Sequence, residues 1–254
     1  MPLQIPFGLL LTIVLLLAGK VTSAQGQPAP PAAAYAAPAP AAVQGLYQAA
    51  DPVSSLLYNG PEYVNYAMRY GERLGHQFFL TPELQPGSVL YYQQPFANLQ
   101  LRYDVVLDQV VLEQPTSPLM LRLVNEKLER FTIGGHHFEQ LKSDSTAGGL
   151  PATAYYEVLS EGPVRLLARR AKRRQERIEG RIVKVEFIGT DRLYAYKAGR
   201  YYTVNSKAGV QKLLADRESE IRDYMRQNRL KLSKKQFENV VLLLVNHYNQ
   251  LPPR

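Results

Sequence analysis

Two adjacent histidines, His136 and His137, have the residue type for a metal site or a proton-transfer site. They follow Gly134-Gly135, a two-residue β-hairpin signal that sets Thr132 opposite His137. Successive side chains of a strand point to opposite faces, so the two imidazoles cannot share a metal ion. We predict that His136 is more buried than His137, because apolar side chains share its face. The alternative for His137 is a proton-transfer pair with Glu139 on its own face.

Two aspartates in the segment YDVVLDQ, Asp104 and Asp108, have the even spacing that places side chains on one face of a continuous strand. Paired carboxylates can perform acid–base chemistry or hold Ca²⁺. These two lie where one β-run gives way to the next, which favours turn residues or exposed strand carboxylates. Ser143 and Ser145 fall in the polar loop KSDSTAGG, outside any G-x-S-x-G nucleophile motif. The sequence therefore predicts no catalytic, cofactor-binding or metal-binding residue.

The strongest charge signal is the basic segment RRAKRRQERIEGR, residues 169–181. Residues 165–184 carry nine Lys or Arg and two Glu side chains, in a chain of formal charge +8. Such a segment can attract polyanions of a cell envelope, for example lipopolysaccharide phosphates. The candidate contacts are Arg169, Arg170, Lys172, Arg173, Arg174, Arg177 and Arg181.

Other interpretations of this basic segment fit its residues less well. It contains no aromatic side chain for base stacking and no motif of a nucleic-acid-binding fold, so we expect no specific nucleic-acid partner. It also lacks the apolar face of a helix that lies on a membrane. We expect a solvated, mobile connection between two paired strands. Replacing residues 170–180 with a short turn should then leave the fold intact.

Tyrosine is abundant in this chain, and tryptophan is absent. In the hairpin around Ala198-Gly199, Tyr196 should lie opposite Tyr201, with Tyr194 on the same face. Such a ladder could stack a sugar or a base, or it could simply stabilise the sheet. The missing tryptophan favours the structural interpretation.

Short β-runs separated by turn signals dominate the chain from about residue 78. The turn signals include Pro86-Gly87, Gly134-Gly135 and Ala198-Gly199. Their spacing is typical of hairpins and meanders, and the helical pattern that parallel crossovers require is absent. Strands are predicted near residues 88–92, 96–103, 106–113, 118–124, 129–133, 136–141, 153–159, 163–168, 182–188, 192–197 and 200–205.

The periodicity becomes helical in the segment SKKQFENVVLLLVNHYNQL. Ser233 and Gln236 form a capping-box pattern that predicts the start of a helix. The apolar stripe comprises Phe237, Val240, Val241, Leu244, Val245 and Tyr248. Upstream, the apolar residues of 210–214 and 221–225 predict one or two further helices, with Asp216 a possible cap for the second. We expect this tail to pack on the β domain; the alternative is a helix that binds in a partner's groove.

These patterns predict an α+β fold, in which an antiparallel β-meander is followed by two to three C-terminal helices. The meander could form a sheet, a sandwich or an open barrel. The β domain is expected over residues 51–205 and the helical segment over residues 206–254. Residues 25–50 are rich in alanine and proline and should form a disordered tether.

The amino terminus has the pattern of a signal peptide. The apolar run FGLLLTIVLLLA, residues 7–18, precedes a small-residue cleavage pattern ending at Ala24. The run is short for a membrane span, and the alternative is an uncleaved anchor. Cysteine is absent, so neither a lipid-attachment cysteine nor a disulfide is possible. We predict removal of residues 1–24 and a soluble protein in the periplasm or secreted, without a transmembrane span.

Three segments together resemble uncharacterised secreted proteins of the Bacteroidetes envelope. They are GSVLYYQQPFANLQLRYDVVLDQVV (87–111), YAYKAGRYYTV (194–204) and the helical tail that ends in HYNQL. The resemblance covers most of residues 50–250 and is carried by hydrophobic and turn positions. It implies a location and an architecture, and it assigns no catalytic or binding residue.

The sequence thus predicts a non-enzymatic, exported structural or interaction module of the envelope. The alternatives are an envelope hydrolase with an unrecognised site, and weak polyanion binding through residues 165–184. The expected partner is an envelope protein or a polyanionic envelope component, and no cofactor is expected.

Overall fold

Short turns connect most consecutive strands of the β region, so neighbouring segments of the chain pair with each other. The structure is a computed structural model that describes residues 52–114, 117–143 and 150–252. All of these residues belong to one compact unit. The expected signal peptide (1–24) and tether (25–50) lie outside the described residues.

Ten strands form one large antiparallel sheet. They are β2 (Gln85–Tyr91), β3 (Gln94–Asp104), β4 (Gln109–Glu113), β5 (Met120–Arg122), β6 (Leu128–Ile133), β7 (His136–Leu141), β8 (Ala154–Ser160), β9 (Val164–Arg169), β12 (Arg192–Lys197) and β13 (Arg200–Thr203). From one edge to the other the order is β5-β4-β3-β2-β6-β7-β8-β9-β12-β13. The order departs from a simple meander at two places. β6 pairs with the side of β2 that β3 leaves free, and β12 pairs with β9 after the chain has visited a second sheet.

The predicted α+β class is confirmed by this arrangement. Each strand that the sequence predicts is present, with its ends shifted by up to three residues. The strands of the large sheet end at Thr203, and three helices follow.

The second sheet contains the basic segment. It consists of β1 (Glu72–Leu74), β10 (Lys172–Glu179) and β11 (Ile182–Gly189), with β11 in the centre. β10 pairs with β11 in an antiparallel ladder along its whole length, and β1 pairs with β11 in parallel. The expectation of a mobile connection between strands is therefore wrong.

Contacts below the second sheet explain why the sequence pattern missed β10. Val185 and Phe187 of β11 are buried against Ala67 and Tyr70. On β10, the guanidinium of Arg174 lies over the Tyr66 ring, 5.6 Å from its centre. Replacing residues 170–180 would remove the contact of Arg174 with Tyr66 and the hydrogen-bonded ladder between β10 and β11. The replacement should therefore destabilise the protein.

Four α-helices lie among the described residues. They are α1 (Pro52–Leu57), α2 (Lys207–Leu213), α3 (Glu218–Gln227) and α4 (Phe237–Gln250). Four residues of the predicted α4 stripe, Val240, Val241, Leu244 and Val245, are buried, and Phe237 and Tyr248 are half-buried. The stripe packs with apolar residues of β9 and β12 in one core. A separate core lies around β2, β3, β4, β6 and β7. The C-terminal helices therefore cover one end of the large sheet. No helix among the described residues is long and apolar enough to cross a membrane.

Two predicted helix caps are wrong. α4 begins at Phe237 with Gln236 as its N-cap, because residues after Ser233 form a turn that precedes the helix. α3 has Arg217 at its N-cap, without a side-chain hydrogen bond. Asp216 instead accepts hydrogen bonds from Lys197 Nζ and Tyr248 Oη, both at 2.6 Å. Tertiary partners therefore compete successfully for the Asp216 side chain.

Candidate functional site

A groove crosses the outer face of β2, β6 and β7. On the inner face of these strands, Phe131 and Phe138 are buried in the core. Because side chains alternate along a strand, Ser88, Thr132 and His137 point the other way. Ser88 on β2 lies directly across from Thr132 on β6, and Thr132 lies directly across from His137 on β7. The three side chains form a polar row on the floor of a groove of about 630 Å³.

Apolar residues form the walls of this groove. They are Leu90, Pro95, Phe96 and Ala97 on the β2–β3 side, and Val158 and Leu159 on the β8 side. A concave site of this size, with apolar walls and a few polar groups, is typical of sites for small organic ligands.

Gly87 allows β2 to lie close to β6, and this closeness places Ser88 in the polar row. The prediction of a turn at Pro86-Gly87 is wrong: both residues lie inside β2, where the pairing with β3 shifts register between Gly87 and Val89. A Cβ atom at Gly87 would lie 2.2 Å from the carbonyl oxygen of Thr132. A residue other than glycine would push β2 away from β6.

The hydroxyl groups of the row bond to each other and not to the imidazole. Ser88 Oγ and Thr132 Oγ1 are 2.8 Å apart, and the Ser88 N–H donates to Thr132 Oγ1 at 3.0 Å. His137 lies one strand beyond Thr132, so strand spacing separates Ser88 from His137 by about 9–10 Å. In the described structure no hydrogen bond joins either hydroxyl to His137. A nucleophile activated by a base needs a separation of about 3 Å, which this row does not offer.

Charged residues line one end of the groove. Arg165 Nη2 donates to Glu139 Oε2 at 2.8 Å, and Arg165 Nε donates to Glu161 Oε2 at 2.8 Å. No hydrogen bond joins Glu139 to His137 among the described residues. Arg130 on β6 lies directly across from Glu139 on β7. The guanidinium of Arg130 is nevertheless exposed and has no carboxylate partner within the described part of the chain.

His136 lies on the opposite face from His137, as predicted. The predicted hairpin register is present, and His136 is half-buried whereas His137 is exposed. The His136 ring packs edge-on against Phe79, and its Nδ1 lies 2.5 Å from Glu157 Oε1. Among the described residues, no group of three or more His, Cys, Asp or Glu side chains could hold a metal ion.

Asp104 is a turn residue, one of the two expected alternatives, and it is buried, so it is not an exposed strand carboxylate. It ends β3 and is 0% exposed, and it accepts hydrogen bonds from the Tyr63 and Tyr66 hydroxyls at 2.8 and 3.4 Å. Two backbone amides of the following turn also donate to it. Burial raises the pKa of Asp104, and these hydrogen bonds offset part of the rise. The carboxylate oxygens of Asp104 accept hydrogen bonds from two tyrosine hydroxyls and two backbone amides, so Asp104 stabilises the turn that follows β3.

Asp108 is a turn residue, as predicted, and it has separate partners. Its φ is +56°, and its carboxylate accepts from the Tyr103 hydroxyl at 2.5 Å and from the Tyr155 N–H at 3.3 Å. Burial raises its pKa as well. Ser143 donates to the Leu150 carbonyl at 3.0 Å, and Ser145 lies outside the described residues.

The structure divides the seven candidate polyanion contacts into two groups. In the first group, Arg169, Arg170 and Lys172 are half-buried, and Arg174 is exposed but paired with a carboxylate. In the second group, Arg173, Arg177 and Arg181 are exposed. Lys172 donates to the carbonyl oxygens of His76 and Phe78 at 2.8 and 2.6 Å. Arg174 pairs with Glu176 at 2.9 Å. The exposed members have no carboxylate partner in the described structure.

Arg170 connects three elements through carboxylates. It binds Glu157 of β8 at 2.5 Å, Glu238 of α4 at 2.7 Å and Asp191 at 3.0 Å. The Arg170 side chain is 13% exposed and that of Glu157 is 4% exposed. Burial alone would lower the pKa of Arg170, but the carboxylates of Glu238 and Glu157 raise it. Arg170 is therefore a structural ion-pair centre.

The tyrosine ladder is partly present. Tyr196 and Tyr201 are cross-strand partners with ring centres 4.8 Å apart, as predicted. Tyr194 is buried and packs against Tyr156. Three exposed rings in a row are therefore not available to a sugar or a base.

Comparison of the chain with models of known protein families, with curated proteins and with solved structures gives no match. The candidate site therefore rests on geometry. The sequence placed Thr132, His137, Glu139 and Arg130 on one polar face, and that face forms much of the groove. It missed Ser88, because Pro86-Gly87 was interpreted as a turn.

Proposed function

We propose that this protein is a non-enzymatic interaction module of the bacterial envelope, and that it holds its ligand in the groove across β2, β6 and β7. The observation that carries the proposal is the polar row. It offers hydroxyl and imidazole groups to a ligand, but their separation leaves no activated nucleophile.

The proposed location rests on the sequence. The apolar run of residues 7–18 and the small residues before Ala24 support export. The resemblance to secreted proteins of the Bacteroidetes envelope supports the same location.

Site-specific photo-cross-linking in intact cells tests the proposed function. A photo-reactive phenylalanine analogue replaces Ala97, an exposed residue at the groove wall, and, as a control, Ala208, an exposed residue of α2. We expect a discrete adduct from position 97 and none from position 208. Equal labelling from both positions, or no adduct from position 97, would contradict the proposal. Recovery of the cross-linked component in cleaved form would favour the envelope hydrolase.

Polyanion binding by β10 is a second candidate function. It is favoured by one observation: the basic segment is ordered and presents Arg173, Arg177 and Arg181 to solvent without carboxylate partners in the described structure. Arg173 and Arg177 are four residues apart on one face of the strand, about 13 Å along it.

Heparin titration at two salt concentrations tests this second candidate. Replacing Arg173, Arg177 and Arg181 together by Gln should weaken binding and flatten its salt dependence. The control variant replaces three exposed arginines elsewhere, Arg122, Arg200 and Arg229. Equal losses in both variants would indicate a general charge effect, and negligible binding by the parent would rule the candidate out.

A further inference from the structure

The guanidinium of Arg130 is the least satisfied charged group of the groove. Its cross-strand neighbour Glu139 is bound by Arg165, which also holds Glu161 through two hydrogen bonds at 2.8 and 3.0 Å. An Arg side chain has five N–H donors in a planar fork that matches a carboxylate. Within the described residues none of these donors has a partner, so Arg130 can receive an anionic ligand group.

The hydroxyl pair beside Arg130 retains one unused donor. Ser88 and Thr132 have two O–H hydrogens between them, and the 2.8 Å contact of their oxygens uses one of these. Whichever hydroxyl donates in that contact, the other hydrogen is free for the groove. Thr132 is two residues from Arg130 on the same strand face, about 7 Å away. A ligand that reaches Arg130 can therefore also accept a hydrogen bond from the row.

The charged side chains of the groove limit how much negative charge a ligand can carry. Glu139 and Glu161 share the one guanidinium of Arg165, which leaves a net negative charge at that end. Arg130 supplies one positive charge close by. Arg130 and Arg165 together balance Glu139 and Glu161, so any negative charge on a ligand is added to a neutral set of side chains. A monoanion that pairs with Arg130 adds one such charge, whereas a dianion adds two and is repelled more strongly by the glutamates. The walls formed by Phe96, Pro95 and Leu159 require that the rest of the ligand be apolar.

We infer that the groove binds an organic monocarboxylate with an apolar body, whose carboxylate pairs with Arg130 and whose body lies along the apolar walls. This inference rests on the proposed function, because it names the ligand class for the same groove. It requires no chemical step on the ligand.

Calorimetric titration of the full-length protein with octanoate tests the inference. Octan-1-ol, octylammonium and octyl phosphate provide neutral, cationic and more highly charged anionic comparisons with the same apolar body. We expect octanoate to bind more tightly than each of them. Arg130→Gln should weaken octanoate binding by about tenfold or more, and Arg130→Lys should weaken it less, because charge is kept but the planar fork is lost.

The matched control is Arg122→Gln, which removes an exposed arginine of β5 outside the groove. It should leave octanoate binding unchanged, and melting curves should show that all three variants are folded. Unchanged binding in Arg130→Gln, tighter binding of octyl phosphate than of octanoate, or no octanoate binding by the parent would overturn the inference.

Failure of the inference can be separated from failure of the proposed function. In one outcome, octanol and octanoate bind equally well, and Ala97→Trp, which narrows the groove, abolishes the binding of both. The groove would then be a binding site, and its preference for a carboxylate would be wrong. If the parent protein neither binds octanoate nor gives a cross-link from position 97, the proposed function itself is contradicted.

Discussion

Arg170 shows how much of the tertiary structure can depend on one side chain. Its guanidinium meets carboxylates from β8, from α4 and from the segment after β11. Removing one member of a buried ion pair leaves the other charge without compensation, at a cost of about 3–5 kcal/mol. The buried member here is Glu157, and its other side-chain partner is His136, whose Nδ1 lies 2.5 Å from Glu157 Oε1.

We predict that Arg170→Gln lowers the free energy of unfolding by about 3 kcal/mol at neutral pH. Urea unfolding followed by circular dichroism measures this loss. Arg177→Gln is the control, since Arg177 is exposed on β10, and it should change stability by less than about 0.5 kcal/mol. Equal effects of the two substitutions would show that the ion-pair centre contributes nothing specific.

Asp216 gives a pH-dependent prediction. Partial burial tends to raise its pKa, but hydrogen bonds from Lys197 and Tyr248 lower it below its ordinary value. A carboxyl group with a lowered pKa in the folded state stabilises the fold above its unfolded pKa, and this contribution is lost as the pH falls through the folded pKa.

Asp216→Asn should therefore cost about 0.5–1 kcal/mol at pH 7, a value that reflects the exposure of this pair. The cost should shrink below the unfolded pKa of Asp, about 3.9, as the parent carboxyl becomes protonated. Chemical denaturation of parent and variant at neutral and acid pH measures the difference. Asp223→Asn, an exposed residue of α3, should show little change at either pH. A cost that is constant across the pH range would contradict the assignment.

At the scale of an element, α4 holds the helical segment against the large sheet. Leu244 is 0% exposed in the core shared with β9 and β12, whereas its neighbour Leu243 is 43% exposed. Leu244→Ala should destabilise the protein by about 2–5 kcal/mol, because a cavity is left in the core. Leu243→Ala is the matched control and should cost much less. Thermal melting of both variants measures these losses of stability. Equal losses for Leu244→Ala and Leu243→Ala would contradict the role assigned to α4.

How well the sequence predicted each element follows from the interactions that stabilise it. β6 and β7 were predicted in register, because a Gly-Gly turn and alternating polarity are local signals. β10 was missed because its side chains are almost all polar, and because its stability comes from a ladder with β11 and from contacts with residues 66–70. The cap at Asp216 was wrong because partners distant in sequence, Lys197 and Tyr248, bind its carboxylate. The cap at Ser233 was wrong because a turn separates it from the first residue of α4.

The candidate site shows the same division. The polar face of the β6–β7 hairpin could be predicted from alternation alone. The concavity of the groove could not, because it depends on the register shift in β2 and on which strands become neighbours in the large sheet. The pairing of Arg165 with Glu139 joins β9 to β7, a contact that the sequence does not encode locally.

At the scale of the whole molecule, the concentrated positive charge is smaller than the sequence suggests. Several basic residues of 165–184 are paired with carboxylates: Arg165, Arg170, Arg174 and Lys184. The exposed remainder is a short row along β10 and the following turn. Cationic residues on an edge strand also discourage pairing with other chains.

Export would remove the first part of the chain. We predict that the mature protein begins after Ala24 and has lost Lys20, which lowers the formal charge by one from +8. Intact-mass measurement of the protein recovered from the envelope or the medium decides this. A mass that includes Lys20 would contradict the predicted cleavage.

The parallel pairing of β1 with β11 has a consequence for the order of folding. Glu72 is the register partner of Lys184, so this contact must close a very long loop of chain. The hairpins of the large sheet close short loops, and β9 and β12 can form their ladder while the small sheet is still open. Pairings between distant segments form slowly and late. β10 and β11 form a hairpin that closes a short loop, so within the small sheet the pairing of β1 with β11 should form last. The amide protons that join β1 to β11 should therefore exchange with solvent sooner than those of β8 and β9.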